Sequence, residues 1–294
     1  MAAEIRRIKI AVVLTVVISL AIVLLVPPSV ELGVISEVGT GGLPLSADDV
    51  SAVPQSVADD ATRLATELYG DCQQKCDDFV SQLLALYLEA EDKDFVLIFN
   101  PGGWGWNLLE ASHDWHGIFT GIQTRLDSLS YTALQLDYMR TDESPGSRLD
   151  ELMSMVSLHP LKAKDLAYRV EFLTTHISDL RVIVTGESNG TIICDSAMNL
   201  LKDNPQVYCI QTGPPFWHRV VVRDRMLVMR GNGEIPDSFS QGDIFTVTAS
   251  HLEDLFGFSD SYVLAPGHEY PWQLPSVYHQ ITDFLDENLG MKWR

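Results

Sequence analysis

The sequence predicts an α/β chain, with a mostly parallel sheet carrying helices on both faces and one transmembrane helix ahead of it. Three observations predict this. Short unbroken apolar runs, Phe95–Phe99 and Val182–Val184 among them, suit strands buried on both faces. Longer amphipathic stretches separate these runs, as strand–helix–strand units require. Finally, Ile10–Val26 holds no charged residue and is just long enough to span a bilayer.

That apolar stretch follows Arg6, Arg7 and Lys9 and ends at Val26-Pro27-Pro28, without a small-x-small cleavage site. It is expected to be an uncleaved signal anchor rather than a removed signal peptide. The basic residues lie on its N-terminal side, and the next charges are Glu31 and Glu37. The positive-inside rule then puts the N-terminus in the cytoplasm and the main domain outside, in a single-pass membrane protein. Residues 1–27 form this cytoplasmic end and anchor. Residues 28–55, rich in Gly, Ser, Val and Pro, are expected to be a linker, and residues 56–294 the folded domain.

The 294 residues carry 40 acidic and 20 basic side chains, a formal charge of -20. This excludes nucleic acid as a partner and opposes electrostatic docking on anionic lipid. The four cysteines have no zinc-ligand spacing. Cys72 and Cys76, four apart in an expected helix, are able to bridge in an extracytoplasmic domain. Cys194 and Cys209 fall in apolar segments and are expected to be buried small hydrophobes.

In chain order, Ser56–Ala90 has helical apolar spacing (Leu64, Leu68, Phe79, Leu83, Leu84, Tyr87), and the strand Phe95–Phe99 runs into Asn100-Pro101-Gly102-Gly103-Trp104-Gly105-Trp106. Helix is expected over Leu108–Leu129, strand over Tyr131–Tyr138, and a loop at Thr141–Arg148. Leu149–Ile177 is helical with a break at His159-Pro160. Residues 141–165 are placed to form a small cap, with Met153, Met155 and Leu158 toward the loops, although ordinary helix packing explains them equally well. Strands follow at Gln206–Thr212, Arg225–Arg230 and Ser261–Ala265, and helices at Ile192–Leu201, Ile244–Phe256 and Pro275–Leu289.

Within this pattern, Arg181–Asp195 reads strand, then Gly186-Glu187-Ser188-Asn189-Gly190, then helix. A serine on a sharp strand-to-helix turn is held in a strained backbone, so the positions two either side must be tiny. Such a nucleophile elbow lifts the hydroxyl clear of the sheet edge. The Asn189 N–H at the helix start is then aimed at a developing oxyanion.

In a parallel sheet, functional groups gather on loops leaving the strands' carboxyl ends. Here those loops carry, in order, a Gly-rich stretch, the elbow serine, an acidic loop and Gly267-His268. From Phe95 to Leu289 this order resembles the α/β-hydrolase superfamily, and the chain looks like a membrane-anchored, serine esterase- or lipase-like member. The resemblance implies Ser188 as nucleophile and His268 as base. His113, His116, His159, His176, His251 and His279 fall in expected helices, and His218 precedes the acidic strand. The acid comes from the loop after Arg225–Arg230. Asp237 has the commoner residue type and spacing, Glu234 matches the superfamily's Gly-x-x-acid position, and Asp243 suits an N-cap for the helix at Ile244.

The oxyanion donors implied are Asn189 and Gly103 or Trp104, with Asn100-Pro101 standing where the superfamily has histidine. No Gly-Lys-Ser/Thr or G-x-G-x-x-G supports a phosphate loop instead. Trp104, Trp106, Phe216, Trp217, Tyr270 and Trp272 crowd these loops, and Trp106, Trp217 and Trp272 are candidates for an apolar substrate pocket. The expected activity is hydrolysis of carboxylic esters, lipid esters or thioesters included, through an acyl-enzyme, with no cofactor and no metal. The partners expected are a small-molecule ester or lipid and the membrane. The alternative is a catalytically inactive hydrolase-fold binding or scaffolding module tethered to the membrane.

Overall fold

The structure, a computed structural model, describes residues 32–46, 52–141, 150–151, 154, 158–243, 246 and 265–290. The expected anchor at 1–27 lies outside them, as do Met153, Met155, His251 and nearly all of the expected helix 244–256 and strand 261–265. Among the described residues no helix is long and apolar enough to cross a membrane.

Among the described residues six strands form one sheet: β1 Val34–Glu37, β2 Phe95–Asn100, β3 Ala133–Met139, β4 Arg181–Glu187, β5 Val207–Thr212 and β6 Met226–Met229. Their order is β1-β3-β2-β4-β5-β6, and every pairing is parallel except β1 with β3. The helices are α1 Gln55–Tyr69, α2 Gln73–Ala90, α3 His113–Ser128, α4 Pro160–His176, α5 Gly190–Leu200, the short α6 Ser238–Gln241 and α7 Pro275–Leu289.

The period-two alternation of the central strands sorts the helices into two layers. Val96 and Ile98 of β2, with Val182 and Val184 of β4, face α2, α4 and α5. Phe95, Leu97 and Phe99, with Ile183 and Ile210, face α3 and α7. Both faces are apolar because both are covered, which is why these strands read as continuous hydrophobic runs. Helix α1 lies further out and packs on α2 and on Phe172 of α4.

Two sequence expectations, the linker and the start of the helix at Leu108, are corrected, and two open points are filled in. Residues 34–37 are not linker but an antiparallel edge strand, with Ile35 fully buried beside Tyr138. The helical stretch Ser56–Ala90 consists of two helices, because the chain reverses at Gly70 with φ +60°. The helix expected from Leu108 starts at His113, after a 3-10 turn at Leu109–Ala111, where the Ser112 side chain accepts from Trp115 N. Cys72 and Cys76 are free thiols, as are the buried Cys194 and Cys209.

One buried carboxyl gives the fold a pH signature. Asp137 of β3 is 1% exposed and accepts a 2.7 Å bond from Leu109 N. Burial, with nearby Glu110, pushes its pKa from 3.8 to about 6 against that bond. A raised carboxyl means the folded state holds the proton more tightly, so stability falls as pH rises from about 4 through 6. The ionised form costs roughly 3 kcal/mol at pH 8. Asp137→Asn keeps an acceptor for Leu109 without the charge. It is expected to stabilise by about 2 kcal/mol at pH 8, with the gain gone at pH 4, as urea unfolding at both pH values would show; an equal effect at both would refute it.

Candidate active site

Ser188 stands at the end of β4 with φ +48°, in the left-handed region that side chains avoid. Its N–H donates to Thr212 O of β5 at 2.9 Å, and its carbonyl accepts from Thr191 N at 3.0 Å. These two bonds hold the strain in place. The flanking glycines are sterically required. A Cβ on Gly186 would lie 2.8 Å from Cys194 Sγ, and one on Gly190 2.3 Å from Asn100 O. Gly190→Ala therefore must displace backbone, and a loss of about 3 kcal/mol is expected. Chemical unfolding checks this; an unchanged midpoint would mean that loop 100–105 yields freely.

Asn189 is the N-cap of α5, whose first N–H groups have no acceptor within the helix. Gly102 crosses directly above the serine, its missing Cβ only 3.0 Å from Ser188 Cβ. Loop 100–105 is held from beneath by Arg140, a fully buried side chain just past the end of β3. The guanidinium donates to Asn100 Oδ1 and Pro101 O, and at 3.4 Å to Gly103 O, which also accepts from Asn189 Nδ2 at 3.2 Å. No peptide bond here is cis. With the Pro101 and Gly103 carbonyls turned to Arg140, the following N–H groups of Gly102 and Trp104 point the opposite way. The Gly102 N–H meets Glu187 Oε2 at 3.3 Å.

Arg140 is itself held by Glu151, which its Nε reaches at 3.1 Å and which also accepts from Lys162 Nζ at 2.8 Å. These charges compensate one another in a dry interior. His159, beside them, is kept neutral because burial pushes its pKa down to about 3. Its Nδ1 lies 2.8 Å from Ser154 Oγ.

His268 follows Gly267 on the loop before α7, and its imidazole covers Gly213, where a Cβ would fall 2.3 Å from Cε1. Gly213 directly follows Thr212, the residue that holds Ser188 N, so serine and histidine are anchored to adjacent residues of one strand end. His268 Nδ1 lies 2.9 Å from Asp237 Oδ2. Asp237, wholly buried, also accepts from Phe239 N, Ser240 N, Ser240 Oγ and Tyr270 OH at 2.7–2.9 Å. Burial alone would raise its pKa, but the His268 bond and these donors hold it below the ordinary value. Glu234, the other candidate acid, is exposed, with its backbone N–H on Asn232 Oδ1. Asp243 caps Thr246 N at 3.1 Å, as expected of an N-cap. His218 is committed elsewhere, to Asp195 at 3.2 Å.

The aromatic candidates divide. Trp217 stacks edge-on against Phe239, which stacks likewise on His268 at 4.9 Å between ring centres. Trp106 lies parallel to Trp104. Trp272 lines a cavity with His116, Thr120 and Tyr278, one to which neither Ser188 nor His268 contributes. It lies on Gly117 and Gly121 of α3, where a Cβ on Gly121 would come within 2.3 Å of its ring, and against Tyr278. Tyr270 serves the acid rather than a pocket. Leu158, the described part of the expected cap face, is exposed. Three carboxyls lie near the histidine, Glu187, Asp114 and Glu269, and all have pKa values raised by burial, those of Glu187 and Glu269 also by the charge of Asp114. Among the described residues no group of three or more His, Cys, Asp or Glu is set to hold a metal ion.

Arg140 and Glu187 were not among the residues that the sequence pattern singled out. The available signal was Arg140 itself, the one cation directly following the strand-like stretch Tyr131–Met139.

No protein-family model matches the chain, and no curated protein matches it. Among solved structures, the chain has a likeness to Trichoderma reesei cutinase in complex with a C11Y4 phosphonate inhibitor. The two are 14% identical over 81% of this chain and 94% of that one, with a TM-score of 0.42. So distant a likeness assigns no function. The chain's own strand order gives a mostly parallel α/β architecture, with Ser188 in the left-handed region at the end of β4.

Proposed function

We propose that the protein is a serine hydrolase of carboxylic esters, tethered to a membrane by residues 10–26 with its catalytic domain outside the cytoplasm. The observation that carries this is the joint anchoring at β5: a strained serine on Thr212, and over Gly213 a histidine paired at 2.9 Å with a buried aspartate. Ser188 is the nucleophile. A hydroxyl attacks a carbonyl well only when a base takes its proton, and that role falls to His268. Asp237 fixes the imidazole's tautomer and stabilises the imidazolium. The oxyanion that forms at the acyl carbon is met by the Asn189 N–H and by an N–H of loop 102–104. Alcohol leaves with the proton from His268, and water attacks the acyl-serine by the same route in reverse.

A fluorophosphonate probe is expected to label the wild-type protein and to leave folded Ser188→Ala unlabelled. Absence of labelling in the folded wild type would sink the proposal. For the tether, the full chain is expected to stay in membranes through alkaline carbonate washing, whereas a chain starting at Leu32 is released. Release of both would remove the anchor.

A further inference from the structure

Strand β1 runs opposite to the rest of the sheet, which fixes where the proposed tether enters. Val34 pairs with Met139, the last residue of β3, so Leu32–Val34 lie at the carboxyl edge of the parallel strands, the edge that carries Ser188 and His268. The entry is pinned there, since Arg169 Nη2 donates to Gly33 O at 2.7 Å. From Val26, the end of the apolar segment, to Leu32 an extended chain spans at most about 20 Å. Ser188, at the end of β4, is three strands away from β1 in the sheet, about 14 Å at ordinary strand spacing. A tether this short, entering at this edge, turns the site toward the bilayer.

The same edge exposes large apolar side chains. Trp104 is 41% exposed on the loop after β2, Phe216 and Trp217 each 46% on the loop after β5, and Ile235 51% on the loop after β6. Side chains of this kind standing together around a site mark a contact surface. The same edge is acidic, with Glu187 at the end of β4, Asp114 in the first turn of α3, Glu234 after β6 and Glu269 before α7, and the formal charge is -20 overall. Such a rim repels anionic headgroups and accepts neutral or zwitterionic ones.

We infer that Trp104, Phe216, Trp217 and Ile235 dock the site mouth on the zwitterionic surface of the bilayer that holds the tether, so that the substrate is a lipid ester drawn from that membrane. This rests on the hydrolase and anchor proposals above. The full chain, reconstituted into phosphatidylcholine vesicles with nitroxide-labelled lipid near the headgroup, tests it without turnover. Tryptophan emission is expected to be quenched in the wild type, and quenching to fall by at least half in Phe216→Ser/Ile235→Ser. The double variant is expected to lose about tenfold in hydrolysis of a vesicle-borne long-chain ester while keeping its rate on a soluble short-chain p-nitrophenyl ester.

An unquenched wild type, or a double variant equally active on both esters, overturns the inference. So does a double variant that merely converts an oligomer to a monomer in detergent, because the rim would then face a second copy. Failure of fluorophosphonate labelling with quenching intact would instead overturn the hydrolase proposal and leave the docking standing.

Discussion

Ser188→Ala is expected to lose at least about 10⁴-fold in ester hydrolysis, with only the oxyanion donors and binding left to act on water. The companion variant Ser188→Gly separates chemistry from backbone. At φ +48° a side chain costs about 1 kcal/mol that glycine does not. Ser188→Gly should therefore be as inactive as Ser188→Ala but more stable than the wild type by about 1 kcal/mol, because strain at a functional turn is relieved when function is removed. Thermal melting and p-nitrophenyl ester turnover, measured together, check both halves. Substantial hydrolysis by well-folded Ser188→Ala would end the assignment of the nucleophile.

Asp237→Asn is expected to lower kcat by about 10⁴-fold, while Glu234→Gln leaves it nearly unchanged. The carboxylate accepts from five donors, and a carboxamide cannot: its NH₂ must face at least one N–H or O–H that now has no acceptor. The imidazole then loses the partner that orders its tautomer. Because the Asp237 pKa is depressed, the sign of its pH effect is fixed. Its contribution to stability is complete above the ordinary carboxyl value of 3.8 and is lost as pH falls through the lower folded value. Asp237→Asn should thus unfold more easily than the wild type at pH 7, by a margin that closes in strong acid. Loss of activity in Glu234→Gln rather than Asp237→Asn would exchange the two roles.

Much of this was legible in the sequence because the relevant signals are local. Strands covered on both faces must be apolar throughout, and β2, β4 and β5 announce themselves in that way. The elbow needs small residues at fixed offsets from Ser188, and the clashes a Cβ would make at Gly186 and Gly190 show why. The acid stayed a choice between Asp237 and Glu234 because their difference is tertiary. Asp237 is the N-cap of a four-residue helix facing His268, and only the packing of Tyr270 and Ser240 reveals it. Strand β1 escaped notice since four residues among glycines carry too little periodicity. The surroundings of Trp272 were hidden for a similar reason: the groove it packs into is made by Gly117 and Gly121, about 150 residues earlier in the chain.

The buried Arg140–Glu151 pair ties loop 100–105 to a carboxylate eleven positions past Arg140 in the chain. Its consequence is for how variants of this protein will be read. Removing Glu151 would leave Arg140 and Lys162 competing for the carbonyls that now orient the Gly102 and Trp104 amides. A random-mutagenesis screen would then score position 151 alongside Ser188, and a double-mutant cycle between Glu151 and Gly103 would show a coupling energy that neither single change discloses. Selection for new substrates has, in this ion pair, a remote handle on the electrophilic side of the site.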